Sequence, residues 1–191
     1  MATVAEIKEA VGTARKAGAG EIALLHCVSS YPAEPKEMNL RTIPDLAKRF
    51  QCTVGLSDHS AGPNAAIAAV CMGAKVVEKH FILDKKIKTP DSFFSIDPAE
   101  LKDLIRQIRV TEEMLGDVSY DLSDEEAKNR VFRRSLFITE DVRKGETLTE
   151  KNMRSIRPAH GLEPKFYSRV LGKKAVRDIK RGTPLSKGLY Q

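Results

Sequence analysis

Two histidines stand in matching company in the first half of the chain. Ser57-Asp58-His59-Ser60 closes one apolar run, and Glu78-Lys79-His80-Phe81 closes the next. Side chains alternate along a strand, so Ser57 shares a face with His59, and Glu78 with His80. Neighbouring parallel strands lie about 4.8 Å apart, which lets imidazoles at corresponding strand ends converge on one divalent ion. The plain alternative is a pair of hydrogen-bonded histidines with no ligand. Two of them at matching strand ends, each beside a carboxylate, put the metal reading on level terms with that alternative. The loop Cys27-Val28-Ser29-Ser30-Tyr31-Pro32 offers the hydroxyls of Ser29, Ser30 and Tyr31, donors that suit a phosphate or carboxylate and equally suit an ordinary turn. Asp91 lies in the charged loop Lys85–Ser92, either a ligand-closing loop or a solvated turn. Arg157-Pro158-Ala159-His160-Gly161, read alone, is a surface turn.

The elements around these residues alternate between helical spacing and short apolar runs, the mark of a parallel α/β sheet. Thr3-x-x-Glu6 is a capping box, followed by Val4, Ile7, Val11 and Ala14 at helical spacing up to Gly18. Strands are expected over 21–27, 53–58 and 75–81, with helices at 38–50 and 63–73 between them. Asp97-Pro98-Ala99-Glu100 starts a further helix, whose stripe Leu101, Leu104, Ile105, Ile108 and Leu115 runs to Gly116. Residues 117–130 are polar and read as a linker. Beyond them, Asp141-Val-Arg-Lys-Gly145-Glu-Thr-Leu148-Thr149 recurs as Asp178-Ile-Lys-Arg-Gly182-Thr-Pro-Leu185-Ser186, an offset of 37 residues. Each copy puts a turn glycine after two cations, which predicts two similar β elements packed together in a small, pseudo-symmetric domain.

Composition bounds the classes. The 191 residues are 41% hydrophobic and 30% charged, and no run of about 18 apolar residues occurs, which excludes a disordered or membrane-spanning chain. Cys27, Cys52 and Cys71 are odd in number, far apart and without a CxxC pair. They fit neither a disulfide framework nor a zinc ribbon, and point to a reducing cytoplasm. The acidic residues near the N-terminus do not match a signal peptide. Residues 1–126 hold 15 Lys/Arg against 20 Asp/Glu, whereas residues 127–191 hold 17 against 6. The basic half suits an anionic ligand or partner, but its few scattered aromatics argue against nucleic acid.

Taken in order, LLHCVSSYP at 24–32, GLSDHS at 55–60, VVEKHF at 76–81, TPDSFFS at 89–95 and IRPAHG at 156–161 resemble the sialic acid synthase family. That family includes the N-acetylneuraminate, legionaminic and pseudaminic acid synthases and their spore-coat polysaccharide relatives. The resemblance implies an α/β fold: residues 1–116 as the last three strands of a (β/α)8 TIM barrel, residues 117–130 as a linker, and residues 131–191 as an antifreeze-like SAF (β-clip) domain. It implies condensation of phosphoenolpyruvate with an open-chain N-acylated hexose to a nine-carbon α-keto acid and phosphate, aided by a divalent metal, Mn2+ ahead of Mg2+. By the same resemblance His59 and His80 are metal ligands, and Ser29, Tyr31 and Ser57 contact phosphoenolpyruvate, although position 29 is Asn in some members. Glu78 becomes a catalytic acid/base or water-orienting group, and Asp91 a catalytic and sugar-hydroxyl partner. Arg157 is the arginine that one subunit of a domain-swapped homodimer inserts into the other's barrel.

The departure from the family pattern is that a closed barrel needs eight strands and the chain supplies three. The family's N-terminal barrel strands, with their phosphate-binding lysines, are missing. A fragment, a truncated product and one piece of a split enzyme all fit, and poor activity of the chain alone is expected. Two other readings stand beside this one. One is a non-catalytic carbohydrate- or partner-binding protein that uses the basic domain, and the other is an unrelated metal-dependent aldolase, which the repeat-bearing domain disfavours.

Overall fold

The computed structural model describes all 191 residues. They divide into two compact units, Met1–Val118 and Ser119–Gln191. In the first, four helices alternate with three strands in the order α1 (Val4–Lys16), β1 (Ala23–Cys27), α2 (Thr42–Phe50), β2 (Thr53–Asp58), α3 (Asn64–Cys71), β3 (Val76–Lys79) and α4 (Pro98–Leu115). Both capping boxes read from the sequence form: Thr3 with Glu6 opens α1, and Asp97 with Glu100 opens α4. The expected helix over 38–50 starts later. Pro35–Glu37 forms a separate 3-10 turn, and Asn39 at φ 42° turns the chain before α2, a left-handed conformation that Asn tolerates better than most residues.

The sheet is parallel in the order β1-β2-β3, with Cys27 paired to Ser57 and Ser57 to Glu78. Alternation sorts the side chains onto two faces. Val54, Leu56 and Asp58 of β2 turn to the helix side, where Leu56 is fully buried in a cluster with Val11, Ile43, Leu46, Phe50 and Ala69. The opposite face carries Leu25 and Cys27, Gly55 and Ser57, Val76 and Glu78. A Cβ at Gly55 would collide with the Val76 carbonyl oxygen, so the sheet leaves room for nothing but glycine there. No helix is long and apolar enough to cross a membrane.

In the second unit, β4 (Ser135–Ile138) pairs antiparallel with β5 (Met153–Ile156). Around them the 37-residue repeat becomes a set of reciprocal bonds. Val142 and Ile179 exchange both backbone hydrogen bonds at 2.9 and 2.8 Å, and several of the surrounding contacts occur twice. The Gly145 N–H donates to Ala175 and the Gly182 N–H to Ile138, each at 2.7 Å. Both glycines have φ above +80°, the conformation for which the repeat selects glycine. Asp178 accepts from the Lys144 N–H at 2.7 Å and Asp141 from the Arg181 N–H at 2.8 Å, so each copy's carboxylate caps the other's turn. Leu148 and Leu185, at matching positions, are buried together.

The segment read as a linker is partly helical. Ser123 and Glu126 form a third capping box and start α5 (Asp124–Asn129), because a Ser-x-x-Glu pattern satisfies two free backbone donors even where no apolar stripe follows. A short 3-10 turn, Arg130–Phe132, leads from it toward β4.

The Arg181 backbone N–H and the Lys180 ammonium hold the Asp141 carboxyl below its ordinary value. A depressed carboxylate contributes stability above the unfolded value of about 4 and loses it as pH falls through the lower folded value. The gap in melting temperature between the wild type and Asp141→Asn is therefore expected to be widest near neutrality and to close below about pH 4, as thermal melts across pH will show. Gly161 packs so closely that a Cβ would strike the Leu136 carbonyl oxygen and crowd the Leu185 nitrogen, two groups bonded to each other. Gly161→Ala is expected to destabilise the protein by about 1–3 kcal/mol in urea denaturation.

Candidate active site

β2 and β3 deliver His59 and His80 one residue past their last paired positions, Asp58 and Lys79. The two imidazoles meet edge to face with ring centroids 5.2 Å apart. His59 is 7% exposed. Its Nδ1 lies 2.9 Å from the Val28 carbonyl oxygen, and the Cys27 sulfur is 3.8 Å from the same nitrogen. A carbonyl only accepts, so Nδ1 of the neutral ring carries the proton and Nε2 keeps its lone pair. The Nδ1 of His80 lies 3.5 Å from Asp91 Oδ2, which favours the same tautomer. An imidazole backed at one nitrogen by a carbonyl or carboxylate is the arrangement that typically supports metal ligation through the other.

Aromatic rings enclose the pair. Tyr31 stacks on His59 at 4.4 Å, and Phe94 sits 4.8 Å from His80 and 5.5 Å from Tyr31. Phe94 is 3% exposed whereas Tyr31 remains half open, so the cluster is walled on one side and accessible on the other. The Asp91 loop is held in place by its own bonds. Ser95 donates to the Asp91 carbonyl through both N–H and hydroxyl, at 3.0 and 2.7 Å, and the Ile96 N–H donates to the His80 carbonyl at 2.8 Å.

Beside the histidines, the Ser57 hydroxyl donates to Glu78 Oε1 at 2.6 Å across the paired strands. Ser57 is buried and Glu78 exposed. Ser29 is exposed, 4.0 Å from the Cys27 sulfur. The structure thus gathers His59, His80, Tyr31 and Asp91 into one cluster, with Ser57 and Glu78 as a bonded pair on the adjoining strand ends. Arg157 lies in the second unit, exposed, just past β5. No group of three or more His, Cys, Asp or Glu converges to hold an ion. The residues present fit a divalent ion as two nitrogen donors with the other positions left to water or substrate oxygen.

Sequence reasoning missed three contributors. Phe94 was readable only as part of a loop, and the Val28 carbonyl carries no side-chain signal. The third is a buried ion pair on the helix side of the sheet: Lys79 Nζ lies 2.8 Å from Asp58 Oδ2, with the side chains 4% and 0% exposed. The Asp58 Oδ1 accepts from the Ser60 N–H and hydroxyl at 2.8 and 2.7 Å, and Lys79 donates to the Ser60 carbonyl at 2.7 Å. Its signal was present, since Asp58 continues the apolar series Val54, Leu56 and Lys79 follows Val77 on the same face.

Residues 1–120 match the model of the NeuB family, and residues 133–189 that of the SAF domain. The chain is 48% identical over 171 residues to a pseudaminic acid synthase of Campylobacter jejuni, covering 90% of this chain and 50% of that protein. It is 42% identical to an N,N'-diacetyllegionaminic acid synthase of the same species, covering 94% and 55%. Among solved structures, the spore coat polysaccharide biosynthesis protein SpsE of Bacillus subtilis matches with a TM-score of 0.58 and 37% identity, covering 100% of this chain and 59% of that one. An N-acetylneuraminic acid synthetase of Leptospira borgpetersenii, solved with citrate, matches with a TM-score of 0.60 and 32% identity over 68% of this chain and 45% of its own. The chain spans about half the length of the curated relatives it matches. The match over residues 1–120, more than half of the chain, followed by the SAF domain, makes this chain a member of the NeuB family.

Proposed function

We propose that the chain carries the metal-binding part of a nonulosonic acid synthase, which joins phosphoenolpyruvate to an N-acylated hexose in open-chain form and releases phosphate. The observation that carries this reading is the meeting of His59 and His80 at 5.2 Å, each with an acceptor behind Nδ1. The names of the relatives supply the substrate class. A divalent ion on the two Nε2 atoms, Mn2+ ahead of Mg2+, would polarise the sugar aldehyde as a Lewis acid for attack by C3 of phosphoenolpyruvate.

The chain's own residues supply the rest. Val28 and Asp91 favour the tautomer in which Nδ1 carries the proton and Nε2 keeps its lone pair, and Phe94 walls one side of the imidazoles. Asp91, half exposed, is open to sugar hydroxyls. The hydroxyls of Ser29 and Tyr31 donate to the phosphate or carboxylate of phosphoenolpyruvate. Ser57 fixes one oxygen of Glu78, leaving the other to orient the water that adds at C2 and to take its proton, before phosphate leaves. Arg157, presented by the SAF domain of a second copy in a domain-swapped homodimer, adds a cation for the substrate's anionic groups.

The three-stranded sheet is read as one arc of a (β/α)8 barrel. Its face of Leu25, Cys27, Gly55 and Ser57 is the side that further strands would enclose. The three free thiols accord with a reducing compartment such as the cytoplasm.

Calorimetric titration tests the core of this reading on the 191-residue chain. The wild type is expected to bind Mn2+, and His59→Ala and His80→Ala each to weaken binding by at least about tenfold with unchanged circular dichroism. Metal affinity that survives both substitutions would overturn the assignment. Arg157→Ala is expected to leave Mn2+ affinity intact and to lower turnover of phosphoenolpyruvate and N-acylated hexose in the assembled enzyme by at least about tenfold. Full turnover in that variant would remove Arg157 from the site. Binding of an acidic sugar polymer that survives loss of both histidines would favour a carbohydrate-binding role instead.

A further inference from the structure

We infer that the buried Asp58–Lys79 pair is a positioning device, which fixes the direction in which His59 and His80 leave the sheet; the inference rests on the two-histidine reading above. Each member of the pair immediately precedes one of the histidines. Of the chain's ion pairs, this one has both side chains buried, at 0% and 4% exposed, and the other carboxylate–ammonium and carboxylate–guanidinium pairs lie on the surface. Elsewhere the same face of the sheet packs apolar side chains such as Leu24, Val54, Leu56 and Val77.

An apolar pair of similar volume would fill this space with equal or better stability, because burying two charges costs nearly all that their attraction returns. Apolar contacts, however, have no preferred direction. Charge-assisted hydrogen bonds do, and here they tie the side chains at two strand ends to each other and to the backbone of Ser60. Asp58 grips the Ser60 N–H and hydroxyl, so the residues on both sides of His59 are clamped. Lys79 reaches from β3 to Asp58 and to the Ser60 carbonyl, so the residue before His80 is tied to the same point. The carbonyls of the two histidines are anchored as well, His59 by the Ala33 N–H at 3.0 Å and His80 by the Ile96 N–H at 2.8 Å. With carbonyls and preceding side chains held, the relative placement of the rings has little freedom. The pair is neutral overall, so its effect on a bound cation comes through geometry rather than through added charge.

The test separates position from stability. Lys79→Met alone leaves a buried carboxylate unpaired and is expected to lower the melting temperature. Asp58→Val with Lys79→Met removes both charges and is expected to recover most of that loss. If the pair positions the rings, the double variant still binds Mn2+ about 10–100-fold more weakly than wild type, the range seen when residues behind a metal ligand are changed. In the metal-free chain it also loses the nuclear Overhauser contacts between the ring protons of His59 and His80. Wild-type Mn2+ affinity with intact ring contacts in the double variant would overturn the inference and leave the pair a purely stabilising one. Should the double variant not fold, Ser60→Ala decides: it removes one bond to Asp58 and, with an unchanged melting temperature, is expected to weaken both Mn2+ binding and the ring contacts, whereas no change in either would refute the role. Should the wild type bind no Mn2+, the metal assignment fails, and the ring contacts alone judge the positioning role.

Discussion

A carboxylate and an ammonium with almost no access to water, Asp58 and Lys79, tie together the ends of β2 and β3 in the first unit. Either charge alone at this depth would cost several kcal/mol, so Asp58 and Lys79 must meet, and they meet only if β2 and β3 end in register. That register pairs Ser57 with Glu78 on the opposite face and sends His59 and His80 out from adjacent strand ends. A slip of β3 by one residue against β2 would turn Glu78 toward the helices and Lys79 to the open face, parting both the Ser57–Glu78 and the Asp58–Lys79 pairs. The polar side of the sheet therefore depends on an interaction made on its apolar side.

The second unit reaches its shape by a different device. Its two copies of one motif exchange backbone bonds and cap each other's turns, so neither copy is complete alone. Three kinds of residue make the exchange possible: a carboxylate before each turn, a glycine with positive φ within it, and a leucine that buries beneath the crossing. Small domains have little apolar core to draw on, and reciprocal hydrogen bonding of this kind supplies order where burial is limited.

Much of this was legible in the residues. The end of β2 at Asp58, the capping boxes of α1 and α4, and the repeat with its turn glycines all rest on local patterns, whereas β3, expected over 75–81, stops at Lys79. The gathering of Tyr31, His59, His80 and Asp91 was readable too, because strand ends in one register bring their following loops together. Three features were not. The capping box of α5 sits in a polar stretch with no apolar periodicity to draw attention to it. Phe94 gains its place because Ser95 bonds back to Asp91 and Ile96 pairs with Phe81, contacts that no spacing rule encodes. Asp58 figures in the sequence only as a carboxylate beside His59, and Lys79 has no reading of its own, although their alternation with Val54, Leu56 and Val77 places them on the buried face. Charge pulls such residues toward solvent in any sequence reading, and only the presence of the opposite charge one strand away reverses that expectation.

The most direct test of the metal centre is a crystal of the chain grown with Mn2+ and measured for anomalous scattering at the manganese edge. A single strong peak within bonding distance of the Nε2 atoms of both His59 and His80 is the predicted result. Density confined to surface carboxylates, with the two imidazoles unligated, would contradict the two-histidine metal site on which the synthase reading stands.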